Sequence, residues 1–468
     1  MRSTWLGFGL GLFTLIGCNA LWQGYLSPLD NPDGSIEVAD LTGADLTGAD
    51  LTGPPPADLT GADLTGVPPP DMTMPPKPCG LTTTKSTAYS YSTYTTAINL
   101  GSIAATKIAV MDIDKDGLAE VAVSTNSSPV KVYKLSGSPT CTFGAASDCI
   151  VNDAIWDLRG FSTDIATGAG AFVVARNNSS ANAISTCTGM PVVHATITNT
   201  NFSSQSPRRE LSIPPLKAAT NGIFILHEKS NDAMIGDRAV SVKLNTSATL
   251  ISTVMLANLN INGNFEPRNA TGARIDDVQA DGILDLIALE VNATGRMRTY
   301  NNDHNSSPAI VKGTTALTST FADVNRIMAA RLSNDSYDDA VVINIAPTPP
   351  QIVPHIVTTG GAITPKTALS INIPSASADR SKLMFTDITG DGIDELIAIN
   401  GSNISFFTYT EATNTLSAPQ NLAIKAGYTA VAIAIGYTEK NISSGPPDIY
   451  VVANNGGANE VGVFRWMP

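Results

Sequence analysis

From about residue 81 to residue 468, the apolar positions fall into short runs that polar clusters separate. VKVYKL at 130–135, ISFFTYT at 404–410 and VGVFRW at 461–466 are rich in the branched and aromatic residues that favour β-strands. Gly, Asn, Ser and Pro lie between the runs, and no long stretch has the 3.6-residue period of an amphipathic helix. The pattern therefore predicts an all-β domain over residues 81–468.

One unit recurs along this domain: a polar turn, then a residue that we call the marker residue, then an apolar strand. The marker is acidic in five units and small in two, where the loop acids are missing but the strand is kept. The marker residues are Glu120, Ala171, Gly222, Asp285, Asp339, Glu395 and Asp448. Their spacing of about 55 residues is the length of one four-stranded propeller blade. We therefore expect a seven-bladed β-propeller.

The last unit of the domain lacks a strand that the N-terminal end of the domain can supply. The last unit has only the strands DIYVVA and VGVFRW before Pro468, whereas the strand-like run STYTTAINL (92–100) precedes the first unit. We expect this N-terminal strand to complete the last blade and close the ring.

Three loops carry acids at matched positions of the pattern D-x-D/N-x-D-G-x-x-D/E. The match is close at 112–120 and 387–395 and partial at 277–285. With these loops, residues 90–468 resemble FG-GAP/VCBS repeats, the blades of integrin-α-type seven-bladed β-propellers. The resemblance implies calcium ions bound by the acidic loops on one rim.

The loop chemistry also suits calcium, which prefers six to eight oxygen ligands from a flexible loop. Alternate residues of a tight loop point to one side, so positions 1, 3 and 5 converge. Position 7 can add a main-chain carbonyl, position 9 a carboxylate, and glycine at position 6 permits the turn. The candidate ligands are Asp112, Asp114, Asp116, the Leu118 carbonyl and Glu120; Asp277, Gln279, Asp281, the Ile283 carbonyl and Asp285; and Asp387, Thr389, Asp391, the Ile393 carbonyl and Glu395.

The loop at 331–339 departs from the pattern. Arg331 replaces the first acid and Ser336 replaces the glycine, while Asp335 and Asp339 remain. We expect this loop to be without metal and internally ion-paired. Two other interpretations of the acidic loops stay open: ordinary β-turn capping by Asp and Asn, and a carboxylate pair for glycoside hydrolysis.

The N-terminus predicts export. Residues 1–18, MRSTWLGFGLGLFTLIGC, have one arginine, an apolar run too short to span a bilayer comfortably, and a small residue before Cys18. This resembles a bacterial lipoprotein signal peptide (1–17) with Cys18 lipidated, and Asn19 favours the outer membrane. The alternative is an ordinary secretory signal with an incidental cysteine.

Residues 18–80 contain five ADLTG copies interrupted by proline runs. The copies resemble pentapeptide repeats, whose solenoid needs stacked coils. Three copies before a proline run and two after it are too few to stack. We therefore predict a disordered linker that holds the domain away from the membrane.

Composition narrows the partners. The 468-residue chain has a net charge of −13, which disfavours nucleic acid and anionic membranes as partners, so the lipid anchor is the expected membrane contact. The four histidines are scattered and form no metal motif.

Export favours disulfides among Cys79, Cys141, Cys149 and Cys187, which allow three pairings. Cys141–Cys149 with Cys79–Cys187 suits the spacing, and free thiols are the alternative.

These observations predict a monomeric, calcium-stabilised binding or adhesion module for a protein or a glycan, anchored at the bacterial outer membrane or cell surface. A polysaccharide lyase or hydrolase and a lectin are the alternatives on the same fold. No convergent acid–base set is visible, so no catalytic residue is assigned.

Overall fold

The structure is a computed structural model, and it describes parts of residues 90–467. The segments outside the description are 127–128, 137–141, 150–153, 165–168, 177–179, 185–194, 199–207, 214–222, 230–237, 246–249, 259–269, 274–283, 291–295, 301, 303–310, 317–325, 336, 346, 359–361, 372, 374–380 and 439–445. All described residues belong to one compact unit, within residues 73–468.

The regular elements of the described residues are β-strands, which form seven sheets of four or five strands and one small ribbon. After β1 (Thr95–Gly101), sheet 1 contains β2 (Lys107–Met111), β3 (Glu120–Ser124), β4 (Val130–Lys134) and β5 (Ser147–Cys149). Sheet 2 contains β6 (Ile155–Asp164), β7 (Ala169–Arg176), β8 (Ser180–Ile184) and β9 (Ala195–Thr198). Sheet 3 contains β10 (Arg208–Ser212), β11 (Ile223–Lys229), β12 (Arg238–Leu244) and β13 (Leu250–Asn258).

The second half of the chain repeats this plan. Sheet 4 contains β14 (Ala270–Ala273), β15 (Asp285–Glu290), β16 (Arg296–Tyr300) and β17 (Val311–Ala316). Sheet 5 contains β18 (Arg326–Ala330), β19 (Asp339–Asn344), β20 (Gln351–Thr358), β21 (Ala362–Pro365) and β22 (Leu369–Ser370). Sheet 6 contains β23 (Leu383–Thr386), β24 (Glu395–Asn400), β25 (Asn403–Phe407) and β28 (Gln420–Ala423), with the ribbon β26 (Tyr409–Thr410) and β27 (Thr415–Leu416). Sheet 7 contains β29 (Thr429–Gly436), β30 (Asp448–Asn454), β31 (Asn459–Phe464) and β1.

The first strands of all seven sheets, β2, β6, β10, β14, β18, β23 and β29, surround one cavity, and we call them the inner strands. Neighbouring sheets touch in chain order, because β2 contacts both β6 and β29, β6 contacts β10, and β14 contacts β18. Antiparallel sheets arranged around a common axis define a β-propeller. The prediction of an all-β propeller is therefore confirmed.

The repeat spacing located the second strand of each sheet. Each of the five acidic marker residues is the first residue of such a strand, in β3, β15, β19, β24 and β30. Ala171 lies within β7, and β11 begins one residue after position 222. The second strands are apolar because sheets cover them on both faces; all five residues of β3 are buried.

The predicted closure of the last sheet by an N-terminal strand is also confirmed. β1 pairs antiparallel with β31, and the Tyr91 hydroxyl donates to the Pro447 carbonyl at 2.7 Å. The ring of Tyr94 lies over Gly462, where a Cβ atom would stand 2.0 Å from Cζ of the tyrosine. Glycine is required there because the two ends of the fold approach so closely.

Apolar side chains fill the spaces between adjacent sheets. Phe172 and Val174 of sheet 2 pack with Ala122 and Val132 of sheet 1, and all four are buried. The rings of Phe161 and Phe224 join sheets 2 and 3 edge to face, with centroids 5.3 Å apart. This packing holds the inner strands in place and fixes the loops at their ends.

Several predicted features lie outside the described residues. They are the signal peptide 1–17, Cys18, the linker 18–80, Cys79, Cys141, Cys187, Asp277, Gln279, Asp281 and Ile283. None of the described residues forms a helix long and apolar enough to cross a membrane.

Candidate metal centre

The acidic loops connect inner strands to second strands. Residues 112–119 join β2 to β3, and residues 387–394 join β23 to β24. Position 6 of each loop has positive φ, +87° at Gly117 and +86° at Gly392, as the sequence pattern requires. Position 4 also has positive φ, and there Gly390 (+84°) is matched in the first loop by Lys115 (+66°).

Position 1 holds each loop together in the same way. The two carboxylate oxygens of Asp112 accept hydrogen bonds from the amides of Lys115 at 2.7 Å and Gly117 at 3.0 Å. Asp387 accepts the amides of Gly390 at 2.6 Å and Gly392 at 3.0 Å. The two loops, 275 residues apart (387 − 112), therefore have the same turn.

The aspartate at position 5 also makes the same hydrogen bond in both loops. Oδ1 of Asp116 accepts the amide of Leu118 at 2.9 Å, and Oδ1 of Asp391 accepts the amide of Ile393 at 2.9 Å. In both aspartates the second oxygen is not used by this turn. Thr389, at position 3 of the second loop, is exposed, where Asp114 stands in the first loop.

The acids of the first loop converge. Asp112, Asp114 and Asp116 each offer a carboxylate oxygen, and the three atoms lie within 4.8 Å of one another. Calcium binds oxygens at 2.3–2.6 Å, so ligands on opposite sides of the ion are about 5 Å apart. The spread of these oxygens therefore fits a calcium ion.

The marker glutamates bind the main chain at the start of each loop. Glu120 and Glu395 are 2% and 0% exposed, and Oε2 of each accepts a loop amide, from Ile113 at 2.8 Å and from Ile388 at 3.0 Å. Oε1 of each is buried and has no hydrogen-bond partner among the described residues. An unpartnered buried carboxylate oxygen is costly, and a cation beside it would remove that cost.

The electrostatics agree with this geometry. Burial, together with repulsion from Asp114, Asp112 and Asp116, raises the pKa of Glu120 to about 8. Burial likewise raises the pKa of Glu395 to about 8, with added repulsion from Asp391. Both glutamates face concentrated negative charge, which a divalent ion would reverse.

The marker aspartates are built differently. Asp339 accepts the amide of Leu332 in its own loop at 3.0 Å and the amide of Val357 in β20 at 2.8 Å. Both of its oxygens are therefore used to join the loop to the third strand. Burial nevertheless raises the pKa of Asp339 to about 7.

Asp448 follows the same plan, and Asp285 makes the bond on the side of the third strand. Asp448 accepts the amide of Trp466 at 2.8 Å and the amide of Thr438 at 3.3 Å. Asp285, from the partly matching loop, is 4% exposed and accepts the amide of Asn302 at 2.8 Å. The loop pattern indicates only a ligand at position 9, and this structural role is not visible in it. In the two acidic loops that the structure describes in full, the marker glutamates leave Oε1 without a hydrogen-bond partner, whereas Asp339 uses both of its oxygens.

Cations reach two of the loops. Nζ of Lys134 contacts Oδ2 of Asp116 at 2.9 Å and also forms a hydrogen-bonded ion pair with Oδ2 of Asp114. Arg331 donates from Nε at 2.8 Å and Nη2 at 2.6 Å to the main-chain carbonyl of Asp335. The expected ion pair inside the Arg331 loop is thus wrong in detail, because the guanidinium takes a carbonyl acceptor.

The cavity at the axis has a volume of about 440 Å³ and adjoins these loops. Arg331, Asp387, Gly392 and Asp394 belong to its lining as well as to the loops. The amide of Arg331 donates to Asp394 at 2.8 Å, which joins sheet 5 to sheet 6 at the cavity wall. The cavity and the acidic loops therefore share one rim.

Cys149 is disulfide-bonded. The three other cysteines of the exported part lie outside the described residues, so the pairing with Cys141 stays a prediction.

Comparison with known proteins gives a short family match and distant structural similarities. The family model for pentapeptide repeats (8 copies) matches residues 38–53, which confirms the resemblance of the ADLTG copies to that repeat. No curated protein matches the chain. The FG-GAP/VCBS resemblance of the propeller stays a prediction.

Three solved structures illustrate the structural similarities. BBS1N, determined in complex with ARL6DN, is 11% identical with a TM-score of 0.44, covering 80% of this chain and 97% of that one. A protein from Lactobacillus plantarum is 11% identical with a TM-score of 0.45, covering 68% and 85%. The Dos1 propeller is 12% identical with a TM-score of 0.41, covering 80% and 94%.

Proposed function

We propose that this chain is an exported, lipid-anchored, calcium-stabilised binding module. Its seven sheets are the seven blades of one ring that β1 closes, and its partner is a protein or a glycan. The observation that carries the calcium part is the buried, unpartnered Oε1 of Glu120 and of Glu395, each at the base of an acidic loop. The shared hydrogen-bond frame of the two loops supports it.

The ligands for calcium come from the loop positions. Asp112, Asp114, Asp116 and Glu120, with the carbonyl of Leu118, hold one ion. The second set is Asp387, Thr389, Asp391 and Glu395 with the carbonyl of Ile393, and the third is Asp277, Gln279, Asp281 and Asp285 with the carbonyl of Ile283. The ion supplies positive charge that offsets the repulsion among these acids.

The partner binds at the rim that carries the loops and the cavity mouth. Charged groups are concentrated there, including Arg331, Asp387 and Asp394, and calcium holds the loops that surround them. A rim of polar, rigid loops on a stable scaffold is a common place for recognition. The charged side chains suit hydrogen bonds to a polar partner.

The anchoring part is supported by the sequence alone. A signal peptide over 1–17 and a lipidated Cys18 place the protein at the outer membrane or cell surface, and residues 18–80 supply the spacer. Several acyl chains give firm attachment, because each buried methylene contributes about 0.8 kcal/mol. Labelling of the expressed protein with a radioactive fatty acid, compared with Cys18→Ala, tests this part: label on the variant contradicts it.

Calorimetry of the full-length chain tests the calcium part. We expect the melting temperature to rise in calcium relative to chelator, because only the folded loops assemble the ligands. Equal melting curves contradict calcium stabilisation.

A glycan array and a panel of purified surface proteins test the binding part. We expect saturable binding that weakens in chelator and in Asp387→Asn/Asp391→Asn, without conversion of any glycan. Cleavage of a glycan would instead establish the enzyme alternative.

A further inference from the structure

Lys134 occupies a special place over the first acidic loop. It is the last residue of β4, and its Nζ contacts Oδ2 of both Asp114 and Asp116. These two aspartates are ligands in the calcium set of that loop. The ammonium group therefore takes oxygens that a calcium ion would use.

At the position equivalent to Lys134, the second acidic loop has Thr408. Glu120 pairs with Lys134 across β3 and β4, and the same register in sheet 6 pairs Leu396 with Phe407, so Glu395 faces Thr408. Among the residues that the structure describes, no cationic side chain forms an ion pair with Asp387, Asp391 or Glu395. The two loops thus share one backbone frame but differ in their own counter-charge.

Sheet 7 has a cation at the equivalent place. Ile449 pairs with Phe464, so the marker Asp448 faces Arg465, whose Nε lies 3.6 Å from Oδ2 of the aspartate. Arg465 is 2% exposed and fixed, whereas the side chain of Lys134 is 54% exposed. Because it is exposed, Lys134 has room to move aside when another cation arrives.

We propose that Lys134 is a tethered cation that competes with calcium, so that loop 112–120 binds calcium more weakly than it would without this lysine. This inference rests on the proposed function, because it needs calcium to bind at these loops. In the absence of calcium the lysine neutralises Asp114 and Asp116. In its presence the lysine is displaced but stays nearby and repels the ion.

The size of the effect follows from the exposure of the pair. Exposed ion pairs contribute up to about 1 kcal/mol, so removal of Lys134 should strengthen calcium binding at this loop roughly three- to fivefold. The first loop would therefore be half filled at a higher calcium concentration than the same loop without Lys134.

Titration calorimetry of the full-length chain with calcium chloride tests the inference. Asp277→Asn/Asp387→Asn removes a ligand from the other two loops and leaves the first as the site measured. In that background we expect Lys134→Thr to bind calcium about three- to fivefold more tightly, and Lys134→Arg to keep the weak affinity.

The matched test uses the second loop. In an Asp112→Asn/Asp277→Asn background, Thr408→Lys should weaken calcium binding by a similar factor. Calcium binding with the same affinity in Lys134→Thr and Lys134→Arg overturns the role of Lys134 and leaves the proposed function intact. Absence of calcium binding in every variant overturns both. Circular dichroism establishes that each variant is folded.

Discussion

The acidic loop 387–395 and the loop 331–339, which has an arginine at position 1, differ in chemistry but share a turn. Oδ1 of Asp335 accepts the amide of Tyr337 at 3.0 Å, the bond that Asp391 makes in the acidic loop. The marker residues Asp339 and Glu395 both accept the amide at position 2. Metal ligands are therefore not needed to form this turn.

The two loops differ in the partner of the second carboxylate oxygen of the marker residue. Asp339 uses its second oxygen on the amide of Val357, whereas Oε1 of Glu395 is buried without a partner. Arg331 brings a positive charge into its own loop, and its guanidinium also lies near Gly392 of the acidic loop. Among the described residues, however, no cation forms an ion pair with Asp387, Asp391 or Glu395. The spacing of the acids thus predicts the turn. A buried marker oxygen without a partner, and acids without an ion pair, distinguish a candidate metal site from an ordinary turn.

The largest expected effect removes the calcium response of one loop. Asp387→Asn/Asp391→Asn should lose about 4 kcal/mol of calcium-dependent stabilisation when calcium is at about 1,000 times its dissociation constant. Denaturant unfolding with calcium and with chelator measures it. Asp335→Asn is the control in the arginine-bearing loop and should respond to calcium as the parent does; a lost response there breaks the comparison.

The next prediction compares the stability lost when an aspartate marker or a glutamate marker is removed in the presence of chelator. Asp339→Ala leaves two buried amides without acceptors and should destabilise the fold by about 3 kcal/mol. Glu395→Ala leaves one such amide without an acceptor and also removes a buried carboxyl oxygen that has no hydrogen-bond partner, so it should cost about 1 kcal/mol or less. Denaturant unfolding of both variants checks this order, and equal losses would mean that the markers have one role.

A pH dependence follows from the raised pKa of Glu395. The pKa of Glu395 is about 8 in the folded protein and 4.5 in its ordinary state. The stability that the protonated carboxyl group contributes is therefore fully present below pH 4.5 and is lost as the pH rises through 8. In chelator, the parent should therefore lose about 2 kcal/mol more stability than Glu395→Gln between pH 5.5 and 7.5.

Unfolding of the two chains at both pH values supplies the measurement. The other raised carboxylates titrate in both chains and cancel in the difference. A difference that stays constant with pH would show that Glu395 is ionised in the folded protein.

The smallest expected effect concerns position 4. Lys115 has φ of +66°, where Gly390 stands in the second loop. Lys115→Gly should stabilise the fold by up to about 1 kcal/mol, because a side chain is disfavoured in this region. Gly390→Ala should cost a similar amount. A loss of stability in Lys115→Gly would show that the two turns are not equivalent.

Much of the fold follows from periodicity. The marker spacing predicted the start of each second strand from Glu120 to Asp448 to within two residues, because a repeated unit must bury the same strand each time. The pairing of β1 with β31 followed from the missing strand of the last unit. The positive φ of Gly117 and Gly392 followed from the loop pattern.

Other features depend on contacts that sequence spacing does not reveal. The bond from Val357 to Asp339 and the contact of Lys134 with Asp114 cross 18 and 20 residues and require the register of the third strand. The acceptor of Arg331 is a main-chain carbonyl, which no residue letter identifies. The cavity lining needs all seven inner strands at once.

A crystal structure of the full-length chain grown in calcium tests the central claim most directly, because it shows what faces Oε1 of Glu395. We predict an ion with calcium's anomalous signal in loop 387–395, bound by Glu395 and by Asp387 and Asp391 at about 2.3–2.6 Å. The account is contradicted if, in saturating calcium, that loop holds only water and the oxygen is satisfied by a hydrogen bond.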